Sequence, residues 1–173
     1  MKNNVKKALQ HFMLKIVDAK SDYSLFKYLR VSENDQQKSE KINKVKRNYG
    51  YFFNRIENSL LTNFILKISH AFDISNKKQS LSLYDVDHSL VESFVLENKI
   101  FLDSIKTLRN KKICHYDKIQ PEKIIFDFKR TDLFFQDLEI FYNKLSDIEN
   151  STTLFNQNLD LEIEIDEIFD LLK

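Results

Sequence analysis

An all-α fold, an up-down bundle of four to five helices, is what three features of this 173-residue sequence predict. Chain breakers are nearly absent: one Gly and one Pro leave tight hairpins and bulges almost nothing to build on, which argues against an all-β sandwich or barrel. Apolar residues recur at alternating steps of three and four, the spacing of a helix face. Fifteen Phe supply bulky side chains for a core between such faces.

The elements follow in order. Val5, Leu9, Phe12, Ile16, Ala19, Tyr23 and Phe26 share one side of a first helix ending near Arg30. The polar string "VSENDQQKSEK" is a connection. A long second helix is expected from about Lys41 to Phe72, with Ile42, Val45, Tyr49, Phe52, Ile56, Leu60, Phe64 and Ile68 along its buried stripe. Gly50 is tolerated inside it at a cost of about 1 kcal/mol. After the loop "DISNKKQSLSLYDVD", Ser89-x-x-Glu92 has the form of a capping box opening a third helix that runs to about His115. Pro121 interrupts the pattern, "KIIFDF" reads as either extended chain or helix, and Phe134, Leu138, Phe141, Leu145 and Ile148 mark a fourth helix. The tail "LDLEIEID" alternates, so a short strand, a hairpin arm or a terminal helix from about Asp166 is expected there. The chain thus divides into a helical bundle over residues 1–150 and an acidic arm over 151–173.

Composition also excludes function classes. Gly50 alone cannot form a phosphate-binding loop or a dinucleotide fingerprint. Cys114 alone cannot make an intramolecular disulfide or a Cys-rich zinc site, so no cofactor or metal is expected. No apolar run approaches the roughly 20 residues that span a bilayer, and the N-terminus is too charged for a signal peptide, so a soluble, cytoplasmic protein without membrane contact is expected. The net charge of +1 provides no global attraction to nucleic acid. It averages opposite ends: residues 1–50 hold 12 Lys/Arg against 5 Asp/Glu, while residues 151–173 hold 6 Asp/Glu against Lys173 alone.

Site chemistry concentrates at the end of the third helix. With Ile105 at the centre of its apolar stripe and 100° per residue, Arg109 falls at about +40°, within the stripe, where a guanidinium needs a partner or ligand. His115 falls at about −80° on the other flank, so spacing alone does not bring the two into contact. A two-fold dimer would bring both pairs into one cleft. Asn110 follows the arginine, and Lys111 and Lys112 come next.

The string "LRNKKICHYDK" carries Arg, a polar residue, four more residues and His. It resembles the Arg-polar-x4-6-His signature of the HEPN superfamily (higher eukaryotes and prokaryotes nucleotide-binding domains), all-helical bundles that include many metal-independent ribonucleases. "NSLLTNFILKISHAFDISNKKQSLSLYDV", followed after a helix by that string, is similar in order and spacing to the AbiU-type abortive-infection branch, over roughly residues 40–148. The resemblance implies RNA cleavage by 2′-hydroxyl attack, with Arg109 and His115 as catalytic residues and Asn110 and Asp73 in support. Lys111 and Lys112 would contact RNA. It further implies a homodimer acting in prokaryotic defence, or a toxin restrained by an antitoxin or defence partner. Tyr116 stands where the family tends to have a basic residue, which keeps open an inactive HEPN-like module that binds protein or RNA.

Plainer readings stand beside these. Arg109 could form a buried ion pair with Glu57 or Asp73, and His115 could interact with the last carbonyls of its helix. His11 and His70 read as helix surface, and Lys111 and Lys112 as a solvated turn. Asp85, Asp87 and His88 read as the approach to the capping box rather than a cation site.

Overall fold

The computed structural model describes residues 2–30, 36–72, 86–114 and 126–148. Asp73, Asp85, His115, Tyr116, Pro121, the first three residues of "KIIFDF" and the acidic arm 151–173 lie outside them, and with that arm the expected strand, hairpin or terminal helix. The described residues form six helices and no strand: α1 (Lys2–Arg30), α2 (Gln36–Asn48), α3 (Gly50–Ala71), α4 (His88–Glu97), α5 (Lys99–Cys114) and α6 (Phe128–Ile148). This is the predicted all-α bundle.

In α1 the predicted face is the buried one: Leu9, Phe12, Ile16, Ala19, Tyr23 and Phe26 are each at most 5% exposed. α1 packs against α3 and α6. Its pairings with α3 run Phe12–Phe72, Asp22–Lys67, Tyr23–Phe64 and Arg30–Glu57, so the two helices are antiparallel. Those with α6 run Phe12–Tyr142, Tyr23–Phe135 and Lys27–Asp132, again antiparallel. Phe94 stacks on Phe141 at 4.3 Å and Phe101 on Phe134 at 4.2 Å, so α4 and α5 ascend as α6 descends. The order is up, down, up, down.

The expected long second helix is two helices. Tyr49 (φ −126°, ψ 33°) breaks it, although the bonds Tyr49 N–H to Val45 O and Phe53 N–H to Tyr49 O keep the ladder nearly continuous, making a kink rather than a loop. Gly50 weakens the helix at this point by its backbone entropy. Bending there lets Ile42 and Val45 reach Tyr28, Leu29 and Phe53 in a second, smaller core. The buried line of α3 meets the predicted one at Phe64 and Ile68 and departs from it toward the kink. Phe53, Glu57, Leu61, Phe64, Ile65 and Ile68 are buried, whereas Tyr49 and Phe52 are 51% and 60% exposed. A carboxylate stands in the middle of the apolar line: Glu57 is 5% exposed and pairs with Arg30 Nε at 2.6 Å and with Lys46 Nζ. Charge burial of this kind requires such pairing.

The expected third helix is also divided, at Asn98. Its side-chain amide donates to Phe94 O at 3.2 Å, competing with its own backbone N–H for that carbonyl. The opening cap is Asp87, not a Ser89–Glu92 box: Asp87 Oδ1 accepts from Leu90 N–H at 2.9 Å and from Ser89 Oγ at 2.8 Å. At α6, Asp127 plays the same part for Arg130 N–H at 2.9 Å. Ile148, placed on the fourth helix's stripe by its spacing, is 54% exposed at the end of α6.

Rings fill the interior. Tyr23 lies within 5.4–6.3 Å of the centroids of Phe64, Phe126, Phe128 and Phe135, spacings at which rings attract edge to face or offset. Its hydroxyl, 2.7 Å from Asp132 Oδ1 and 3.0 Å from Phe128 O, donates toward both acceptors. Burial first, then the bond to Asp132 and the charges of Asp132 and Asp127, raise the Tyr23 pKa far above its ordinary value.

Three stability measurements check this account, each by urea unfolding. Tyr23→Phe keeps the ring and removes the bond to a carboxylate, and is expected to destabilise by about 1.5–3 kcal/mol. Gly50→Ala is expected to stabilise by about 0.5 kcal/mol, because a Cβ there meets nothing within 4 Å and Gly50 has no positive φ. Hydrogen bonds from Leu90 N–H and Ser89 lower the Asp87 pKa below its usual 3.8. The group therefore stabilises the fold above the unfolded-state value and loses that contribution as pH falls through the lowered one. The stability gap between wild type and Asp87→Ala is expected to narrow as pH drops below about 4.

Candidate functional site

α5 brings the candidate site residues to one end of the bundle. Phe101 and Ile105, 4% and 1% exposed, fix its inward side, with Leu102 and Leu108 half-buried beside them. Ser104 Oγ donates to Phe101 O at 2.6 Å and Thr107 Oγ1 to Asp103 O at 2.8 Å, so polar side chains of the outer side fold back on the helix. From Phe101 to Lys111 the burial follows the rotation about Ile105 read from the sequence; the angle given to His115 lies outside the described residues.

Arg109 sits on the shoulder of that apolar side, half-buried. Its Nε donates to Asn110 Oδ1 at 3.3 Å, a long bond between adjacent residues that turns this edge of the guanidinium toward the carboxamide. Asn110 and Lys111 are exposed, as is Lys106. The side chains of Lys112 and Cys114 lie outside the described residues, as do His115 and Asp73 whole. The structure thus brings Arg109, Asn110 and Lys111 together along the last turns of α5.

Glu57 is committed elsewhere. Its carboxylate is held by Arg30 and Lys46 on α1 and α2, so the reading in which it neutralises Arg109 is replaced by one in which it ties α3 to two other helices. His11 and His70 are exposed on helix surfaces, as expected. His88 is exposed, with Nδ1 3.5 Å from Glu92 Oε1 one turn on. Among the described residues no group of three His, Cys, Asp or Glu side chains converges as a metal site, and no helix is long and apolar enough to cross a membrane.

The register of the rings locates Arg109 along the bundle axis. Phe94 opposite Phe141 and Phe101 opposite Phe134 advance seven residues on each side, so continuing the run carries Arg109 level with Phe126. Phe126 contacts Phe26 of α1 at 5.7 Å. This is the end where α1 finishes at Arg30 and α3 begins. Arg109 therefore lies at the same end of the bundle as the kink between α2 and α3.

No protein-family model, curated protein or solved structure matches the chain.

The arrangement offers a guanidinium on a half-buried shoulder, a carboxamide bonded to it and further cations close by on the same helix. Arginine's planar fork suits a phosphate, and a low-water setting strengthens that contact. Spacing alone offers Glu57 as a partner for Arg109 rather than as a charge within the buried line of α3, and it puts Tyr49 and Phe52 on a buried stripe although both are exposed; Tyr51, also exposed at the kink, it does not single out. The signal for the buried line was present in the spacing, since Phe53, Glu57, Leu61 and Phe64 keep a helical step when Glu57 is counted with its apolar neighbours.

A role for Arg109 in a site rather than in the core has a measurable correlate. Arg109→Ala is expected to change the unfolding free energy by less than about 1 kcal/mol, while Ile105→Ala one turn before it costs about 2–5 kcal/mol. Thermal or urea unfolding of the two variants side by side checks this.

Proposed function

We propose that the chain is a HEPN-type endoribonuclease, similar to the AbiU-type abortive-infection proteins, acting as a homodimer in prokaryotic defence or as a toxin with a cognate partner. The observation that carries the reading is Arg109 with its bonded neighbour Asn110 near the end of an inner helix of an all-helical bundle, six residues ahead of His115 in the sequence. In this reading Arg109 grips the scissile phosphate and stabilises the charge that develops on the phosphorane as the 2′-oxygen attacks. His115, with an imidazole that exchanges protons near neutral pH, takes the 2′-hydroxyl proton or returns one to the leaving 5′-oxygen. Asn110 orients the guanidinium through its carboxamide oxygen. Asp73 supports the site, and Lys111 and Lys112 hold flanking phosphates without reading bases. No metal takes part in the mechanism the resemblance implies.

Tyr116, in place of a basic residue, favours a second reading: a HEPN-like module that binds RNA or a protein without cleaving.

One experiment separates them. Incubated with structured RNA in EDTA, the wild type is expected to produce fragments ending in 2′,3′-cyclic phosphate. Arg109→Ala and His115→Ala should each cut the rate by about a hundredfold or more. Absence of cleavage, or cleavage that both variants retain, excludes the ribonuclease and leaves the binding module.

A further inference from the structure

The kink between α2 and α3 exposes an unusual surface. The segment 36–55 carries six Lys/Arg and one acidic residue, Glu40. Across the kink the hydrogen-bonded ladder persists, so steps of three and four still define a face: Lys44, Arg47, Tyr51 and Arg55 follow one another at spacings of three, four and four, and all are exposed. They lie opposite Val45, Phe53 and Glu57, the line that packs inward. A second ring, Phe52, flanks the row at 60% exposure, and Tyr51 itself is 75% exposed; Tyr49, four residues after Val45 and four before Phe53, lies on the opposite line and is 51% exposed at the break. A shallow concavity lined by Glu40, Asn43, Lys46 and Arg47 adjoins its α2 end.

Tyr51 is not a loose side chain. Arg55 Nη2 and Nε donate to its hydroxyl at 2.9 and 3.1 Å, and the guanidinium lies 5.4 Å from its ring centroid. The ring is held by its edge and one side, with most of its surface in water. Large apolar rings are costly to leave exposed, and two adjacent ones among cations match one chemistry well: a polyanion whose units each carry a flat face. Phosphates would pair with Lys44, Arg47 and Arg55 while bases stack on Tyr51 and Phe52.

We infer that this row is a platform for single-stranded RNA, which it guides toward Arg109 at the same end of the bundle. The choice of RNA rests on the ribonuclease reading; the platform itself rests on the kink, the exposed rings and the local charge. Uniformly basic surfaces hold backbone alone, whereas interleaved rings hold unpaired bases, so a single strand is favoured over a duplex.

The test uses the wild-type chain and a short, 5′-fluorescein-labelled single-stranded RNA with 2′-O-methyl groups throughout, which lacks the attacking hydroxyl and so reports binding alone by anisotropy. Tyr51→Ala is expected to weaken binding by about 5- to 100-fold, the range for losing one stacked base. Tyr51→Phe, which keeps the ring, should bind within about twofold of wild type, since stacking needs only the π-face. Arg47→Ala/Arg55→Ala should reduce the slope of log affinity against log salt by about 1.4, at about 0.7 for each phosphate that is no longer neutralised. All these positions are exposed, and circular dichroism of each variant should match wild type. The platform is overturned if wild type does not bind this RNA, or if Tyr51→Ala binds it as wild type does. It is equally overturned if sedimentation shows Tyr51→Ala splitting a dimer with RNA affinity unchanged, which would make the row a contact between copies. Binding through Tyr51 by a chain that cleaves no RNA would support the platform and refute the ribonuclease alone.

Discussion

A carboxylate buried where three helices meet governs the shape of one end of this protein. Glu57 occupies a position that packing would give to a leucine, and its charge is tolerable there only while Arg30 at the end of α1 and Lys46 on α2 both reach it. Those two cations come from different elements, so satisfying Glu57 fixes how α1 ends and how α2 lies across it. Lys46 also donates to the carbonyl of Leu29, adding an acceptor at the exit of α1. The kink at Tyr49 lies two turns before Glu57, and at that end Tyr49, Tyr51 and Phe52 are exposed. The row of cations and rings thus stands on the outer side of the same two helices whose inner side Glu57 and Lys46 hold together.

The remainder of the bundle is organised by rings rather than charges. Phe12, Phe72, Phe94, Phe134 and Phe141 are in ring contact, as are Tyr23, Phe26, Phe64, Phe126, Phe128 and Phe135, and the contact of Phe134 with Phe135 joins the two sets into one core. Flat side chains of this size fill space between helices without needing glycine for close approach, which accounts for a bundle built almost without that residue. The site-bearing helix α5 is held by the same interior through Phe101 and Ile105, so Arg109 is carried on a rigid support rather than on a loop.

Periodicity exposed most of this architecture. The faces of α1, α5 and α6 were readable because their inward residues are chiefly apolar. Periodicity and structure part where a polar group belongs to the interior. Counting only apolar positions in α3 skips Glu57 and rotates the inferred stripe onto Phe52 and Tyr49. Asn98 and Tyr49 break helices through backbone geometry and competition for a carbonyl, effects that hydropathy does not register. Asp87 caps two residues ahead of the Ser89 motif because a carboxylate in extended backbone serves the first free N–H groups better than a serine already inside the helix. For the site, the shoulder position of Arg109 followed from rotation about Ile105, while its bond to Asn110 depends on a rotamer that no spacing rule specifies.

The link between α1 and α6 has a bearing on how the protein is made. Tyr23 and Lys27 find their partners Phe128 and Asp132 more than a hundred residues further on. A nascent chain emerges from the ribosome in order, at roughly 5–20 residues per second. During that interval the first helix can pair with α3, where Tyr23 already meets Phe64, but the contacts of Tyr23 and Phe26 with Phe126, Phe128 and Phe135 wait until α6 arrives. The interior of the bundle therefore closes only once α6 has been made, and a chain halted before it presents bare aromatic rings to whatever holds or degrades unfinished polypeptides.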